Sequence, residues 1–168
     1  GKRRFKGFAE HTWHQSRLGE VASLQPGVAK GPRKPSDPVT RSYLSVSNVL
    51  DGELDLTEVK EITLERGDVP KYELRPGDVL MTEGGHVDRL GRGTVWQGQI
   101  AGCLHQNHIF AVRPDTAHLL PEYLAFWTTS QAGRRHFRAA AKLSTIATLG
   151  ASQVRSATLS LPSISEQA

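Results

Sequence analysis

Cysteine and methionine are almost missing from this 168-residue chain. Each occurs once, as Cys103 and Met81. A single thiol excludes an internal disulfide framework and fits a cytoplasmic protein. A methionine only at position 81, and none at position 1, points to a processed or trimmed piece, with Gly1 a candidate cloning scar. Apolar residues make up 38% of the chain, and no run of them is long enough to span a bilayer. No secretory signal, internal repeat or low-complexity stretch is visible. The chain also lacks a P-loop, a GxGxxG after a strand, a nuclease carboxylate cluster and a methyltransferase cofactor loop. These gaps argue for binding rather than catalysis, with no catalytic residue assigned.

Charge is abundant but segregated. The net is only +4, yet residues 1–41 hold 9 basic and 3 acidic side chains, residues 42–88 hold 4 and 11, and residues 89–168 hold 8 and 3. A fold that keeps this segregation presents a basic face suited to a polyanion and an acidic face suited to solvent or a protein. The length fits one domain that buries about two thirds of its unfolded surface.

The most informative run is Tyr72–Pro114. Arg75-Pro76-Gly77-Asp78 suits a type II turn, with proline where φ is near −65° and glycine where φ is positive. Val79–Met81 then reads as a short strand, Thr94–Ile100 as a second and Ile109–Val112 as a third. The loops between them are rich in glycine, Arg, Gln, Asn and His. Arg reads guanine edges, and Asn or Gln reads adenine. The plain alternatives are a surface turn for the glycines and a solvated strand face for the amides.

Elsewhere, residues 1–12 read as a basic tail, Trp13–Ala22 as the first anchored element with Trp13 packed, and Leu24–Thr40 as a proline-rich basic loop or arm. Ser42–Val49 alternates like a strand, Asp51-Gly52 signals a hairpin, and Leu54 and Leu56 belong to the returning strand. Glu58–Glu65 gives no clear pattern, and Arg66–Lys71 reads as a polar turn. Pro121 suits the first turn of a helix whose apolar face holds Tyr123, Leu124, Phe126 and Trp127. Ser130 suits the N-cap of a second helix, with Arg134, Arg138 and Lys142 spaced four apart along one edge and Arg135 nearby, a stripe that is either a solvated face or a phosphate contact. Ser152 suits the cap of a short turn, and Ala157–Leu161 a last strand ended by Pro162. Cys103, His105 and His108 form C-x-H-x-x-H, but a strand points neighbours to opposite faces and no fourth ligand stands at motif spacing, so no metal site is assigned. Nothing local lowers the Cys103 thiol pKa recognisably. His105 and His108 are alternatively buried, hydrogen-bonded residues that fix their loop.

The pieces Trp13 with LGEVA (18–22), YLSVSNVLDGELDL (43–56), GDVLMTEGG (77–85), LGRG (90–93), HQNHIFAVRP (105–114), STIATLG (144–150) and LPSISEQ (161–167), in this order and spacing, resemble a target recognition domain of the DNA specificity subunit of type I restriction–modification systems. The resemblance runs from about Trp13 to Gln167, and departs from the family's usual double proline at Ser163. It implies an α+β fold: a β-rich recognition domain with a twisted mixed or antiparallel sheet and a few flanking helices. It implies one recognition domain over residues 13–168 behind the tail, with the ruler helix and second recognition domain absent. It also implies double-stranded DNA as ligand, one half of a split target being read here. Modification and restriction subunits are the implied partners. S-adenosylmethionine, ATP and Mg would serve those partners, and this chain would hold no cofactor. The base-edge candidates are Arg89, Arg92, Gln97, Gln99, Gln106 and Asn107, then Ser144 and Thr145. The phosphate candidates are Lys30, Arg33, Lys34, Arg41, Arg134, Arg138 and Lys142. Two alternatives stay open: the recognition domain of another restriction or phage-defence enzyme fused to a methyltransferase-nuclease chain, and a protein-interaction or RNA-binding β domain.

Overall fold

The computed structural model describes residues 12–31, 34–87, 90–142 and 147–168. The elements run β1 (His14–Arg17), α1 (Leu18–Val21), β2 (Ala22–Gln25), β3 (Pro38–Leu44), β4 (Lys60–Glu65), α2 (Val69–Tyr72), β5 (Val79–Thr82), β6 (Gly84–Gly85), β7 (Gly93–Val95), β8 (Leu104–His105), β9 (Ile109–Pro114), α3 (Pro121–Thr129), α4 (Gln131–Ala140), β10 (Ala147–Thr148), α5 (Ala151–Arg155), β11 (Thr158–Leu161) and α6 (Ile164–Gln167). The architecture is α+β with mixed and antiparallel sheets, as expected.

The turn at Arg75–Asp78 forms as its residues dictate. Gly77 has φ +93°, and the Asp78 amide donates to the Arg75 carbonyl at 2.9 Å. It feeds β5, whose four residues are all buried. A strand buried on both faces must be covered twice, and β5 is. It lies inside the antiparallel sheet β2-β9-β5-β7. Val79 and Met81, with Phe110 and Val112 of β9, face a core shared with Leu18, Leu119, Leu124, Trp127, Phe137 and Val154. Leu80, Ile109 and Ala111 face the opposite way, against Leu44, Leu74, Trp96 and Cys103. Period-two alternation thus divides the strand residues between a helical layer and a second β layer. That second layer is β4-β3-β8, with β3 antiparallel to β4 and parallel to β8. A third cluster, including Val28, Tyr43, Leu64 and Leu104, packs it. Each fully buried large side chain of this kind contributes about 1.5–3 kcal/mol by leaving water. Near the chain's two ends, β1 pairs with β11.

The helical expectations hold in their caps. Pro121 opens α3, and Ser130 caps α4 by accepting the Gly133 amide at 3.2 Å. A Cβ at Gly133 would strike the Trp127 carbonyl, so glycine lets α4 start directly against the end of α3. Trp127 and Phe137 then meet edge to face, centroids 5.6 Å apart. Trp13 is half-buried, its indole N–H donating to Glu166 at 3.2 Å.

Several expectations are corrected. The strand read over Ser42–Val49 is β3, Pro38–Leu44, followed by a 3-10 turn at Val46–Asn48. Asn48 makes that turn: its side chain accepts the Ser45 amide at 2.8 Å and donates to the Asp55 and Glu58 carbonyls at 2.8 and 2.9 Å. Asp51-Gly52 does turn the chain, with Gly52 at φ +84°, but Leu54 returns as a single bridge to Val49 and not as a strand. The unpatterned Glu58–Glu65 contains β4, and Arg66–Lys71 holds a 3-10 turn and most of α2. The strand read over Thr94–Ile100 stops at Val95. Phe126 is 71% exposed, outside the apolar face assigned to it. The cap of α5 is Gly150, with Ser152 inside the helix. The arm read over Leu24–Thr40 is tied down at Val28, which is fully buried and bridged to Gln106. Residues 1–11 of the basic tail lie outside the described residues.

Candidate nucleic-acid interface

The structure distributes the candidate readers over distinct places. Gln97 and Gln99 follow β7, where the chain leaves the sheet after the buried Trp96, and both are exposed. Gln99 bends back to accept the Gln97 amide at 3.1 Å. They line a groove of about 560 Å³ with Gly52–Leu54, Gly93–Val95, Glu122, Phe126 and Thr129. Glu53 and Glu122 make its rim acidic, which disfavours a phosphate there.

Gln106 and Asn107 occupy the tight loop between β8 and β9. The loop closes through the Ile109 amide on the Gln106 carbonyl, 2.9 Å, and the Asn107 amide donates to Val28 at 3.1 Å. The Asn107 side chain is exposed and hydrogen-bonds to no described residue, while Gln106 is half-buried. Arg92 is half-buried and engaged with a neighbour, so it does not stand out as an open reader. Arg89, Ser144 and Thr145 lie outside the described residues, as does Arg33.

Among the phosphate candidates, Arg134 and Arg138 stand on the outward face of α4. With Gln131, Arg135 and Ala139 they line a depression of about 630 Å³. The opposite face of the helix holds the buried Gly133 and Phe137, so helical period alone turns the arginines outward. Arg134 is not idle: it donates to Asp51 at 2.9 Å and to the Thr129 carbonyl at 2.8 Å. An exposed pair of this kind is held by only about 0–1 kcal/mol, so a phosphate can replace Asp51 at little cost. Lys142 does not share the stripe. The helix ends at Ala140, and Lys142 pairs with Thr148 through backbone bonds of 2.9 and 3.0 Å. Lys30 and Lys34 are exposed, Lys30 with its ammonium 5.6 Å from the Tyr43 ring centre. Arg41 is half-buried and donates to the Thr40 carbonyl at 3.1 Å.

The C-x-H-x-x-H residues are not brought together. Cys103 is buried, and burial pushes its thiol up to about 12, the reverse of an activated nucleophile. His105 is fully buried. Desolvation lowers it to about 4, so its ring is neutral at pH 7. Neither ring nitrogen has a hydrogen-bond partner of good geometry among the described residues, and the nearby Gln25 backbone, the Asp78 charge and the Tyr72 backbone oppose the desolvation without outweighing it. His108 is exposed, with Nδ1 2.7 Å from Glu83 Oε2. The expectation that both histidines are buried and bonded is therefore corrected for each in a different way. Among the described residues no three His, Cys, Asp or Glu side chains are grouped to hold a metal, and no helix is long and apolar enough to cross a membrane.

Sequence reasoning placed Arg135 near the arginine edge without assigning it a contact, and gave no site role to Asp51, Glu83 and Phe126. The places of those three in the site depend on tertiary neighbours and leave no local signal.

No protein-family profile matches the chain. The chain is 23% identical over 132 residues to the MjaX type I restriction enzyme specificity subunit of Methanocaldococcus jannaschii, a name given provisionally. The match covers 77% of this chain and 30% of that protein. It is 23% identical over 166 residues to the EcoBI type I restriction enzyme specificity subunit of Escherichia coli, covering 97% of this chain and 34% of that protein. In fold it is similar to the crystal structure of the HsdS subunit from Thermoanaerobacter tengcongensis, with a TM-score of 0.60 and 17% identity over 98% of this chain and 36% of the other. The chain thus spans about a third of the length of the curated relatives it matches. The chain is thus similar in sequence, over 77% and 97% of its length, to two specificity subunits of type I restriction enzymes, and it shares the fold of a solved HsdS subunit.

Proposed function

We propose that this chain reads duplex DNA as one target recognition domain over residues 13–168, recognising one half of a bipartite site. Methylation of adenine and restriction belong to modification and restriction subunits, which would carry the S-adenosylmethionine, ATP and Mg. The observation that carries the reading is the likeness to a curated specificity subunit over 97% of the chain. The geometry supports it. Gln97, Gln99 and Asn107 are exposed amides, and an amide presents the donor and acceptor that adenine matches in the major groove. Arg134, Arg135 and Arg138 turn one helix face toward a polyanion, and phosphate contacts position a reader without specifying sequence.

The test is selection from a pool of randomised duplexes with the protein in its complete form, followed by binding across salt concentrations. The expected result is enrichment of one motif. Arg134→Ala with Arg138→Ala should weaken binding to every duplex and lower the salt slope by roughly two. Equal retention of all duplexes, or preference for single strands or structured RNA, refutes the proposal. One observation favours a second role for the Gln97–Gln99 groove. Its acidic rim and the exposed Phe126 suit a protein surface with an apolar side chain beside a cation. If Gln97→Ala leaves the enriched motif intact while Phe126→Ala weakens assembly with the partner subunits, that groove docks protein.

A further inference from the structure

We infer that Glu83 is a positioning residue that sets Asn107 to read a base edge, an inference that rests on the duplex-reading proposal above. Two separate parts of Glu83 hold the same neighbour. Its amide donates to the His108 carbonyl at 3.1 Å, and its carboxylate oxygen Oε2 lies 2.7 Å from His108 Nδ1. Its own carbonyl accepts the Leu149 amide at 2.8 Å, which fastens it to the segment that follows β10. His108 is the residue next to Asn107, so what fixes one fixes the backbone of the other.

The other flank of the loop is held just as directly. The Val28 amide donates to the His105 carbonyl at 2.7 Å, and the Asn107 amide donates back to Val28 at 3.1 Å. The approach is so close that a Cβ on Gly27 would lie 2.5 Å from the Gln106 carbonyl oxygen. The result is a backbone fixed on both sides of one exposed side-chain amide, that of Asn107, which makes no hydrogen bond to a described residue. A fixed backbone favours a two-bond contact to adenine, because only the side-chain torsions of Asn107 remain to be ordered on binding. The Glu83–His108 pair is itself exposed, with side-chain exposures of 30% and 58%. Exposed pairs contribute little to folding stability. Its loss therefore frees the His108 side chain beside Asn107 while the backbone bonds hold the domain folded, which separates a positioning role from a merely structural one.

The experiment is selection from a randomised duplex pool with the complete protein and its Asn107→Ala, Glu83→Ala and Glu83→Gln variants. Asn107→Ala should lose preference at one base position by about tenfold. Glu83→Ala should lose preference at that same position by a smaller factor, about two- to fivefold. Its affinity for a non-cognate duplex and its salt slope should stay within about twofold of wild type. Glu83→Gln keeps an acceptor for the His108 N–H and should recover most of the preference. Should Glu83→Ala fail to fold, His108→Ala severs the same side-chain contact and leaves the Glu83 backbone bonds in place, and must lose the same preference. Unchanged preference at every position in a folded Glu83→Ala or His108→Ala protein, or a loss at a position different from that of Asn107→Ala, overturns this inference alone. A wild-type protein that enriches no motif overturns the duplex-reading proposal and this inference with it.

Discussion

Replacing Asp78 by alanine removes the acceptor of three hydrogen bonds at the centre of the fold. The Asp78 side chain is 1% exposed and takes Arg113 Nε at 2.7 Å and Nη2 at 2.8 Å, a two-pronged contact, while Oδ2 also accepts the Arg75 amide at 2.8 Å. Charge-assisted bonds contribute roughly 1.5–3 kcal/mol each, and breaking a buried pair from one side costs about 3–5 kcal/mol because the surviving charge is stranded. Arg113 keeps 25% of its side chain in contact with water, which offsets part of this and argues for the lower half of the range. For a chain of 168 residues each kcal/mol corresponds to about 2–4 °C in Tm, so Asp78→Ala should melt roughly 10 °C below wild type by calorimetry or circular dichroism. Asp78→Asn, which retains one acceptor, should lose about half as much. Asp78→Ala with Arg113→Ala should fall short of the summed single losses by about 1–3 kcal/mol, since the second change removes the stranded charge. A Tm drop under about 3 °C for Asp78→Ala, or strict additivity in the double variant, would refute the reasoning.

Two further outcomes follow from burial. His105 is held neutral down to about pH 4, whereas the unfolded ring takes its proton near its ordinary 6.5. The unfolded state therefore binds the extra proton between those values, and the stability due to His105 is whole above about pH 6.5 and is lost as pH falls through the window. Urea titrations at pH 7 and pH 5 should differ by ~2 kcal/mol more for wild type than for His105→Gln, and equal differences would contradict the assignment. Cys103, buried and raised to about 12, should resist iodoacetamide at pH 8 in the folded protein and react once denaturant is added. Labelling of the native protein at the rate of a free thiol would show that the site opens.

What could be read from the sequence was the chemistry that acts within a few residues. Gly77 at positive φ, Pro121 at the head of α3 and Ser130 as a cap are local requirements, and each was met. The Ser42–Val49 strand failed because the alternation of Leu44 and Val46 competes with Asn48, whose side chain rewards a turn only when Asp55 and Glu58 arrive from further along. Strand β4 was unreadable for the opposite reason: its single covered face gives one buried residue, Leu64, among charged neighbours. The candidate site was least legible of all. Arg134 and Arg138 were placed on one outward face by helical period, but Lys142 was assigned to a helix that had already ended. The residues that carry the family resemblance are instead explained by architecture: Asp78 by Arg113, Asn48 by its turn, and Gln167 by the start of α3. Residues that face a ligand answer to a partner that the sequence does not contain.

Gln167 ties together points far apart in the chain. Its side chain accepts the Leu120 amide at 2.8 Å and donates to the His118 and Pro162 carbonyls at 2.9 and 3.1 Å. Leu120 caps α3, and α3 leads through Ser130 into the arginine face of α4. One amide thus joins α6 to the foot of α3, so Gln167→Ala would leave the Leu120 amide without its acceptor and loosen the seat of the helix that leads into the arginine face.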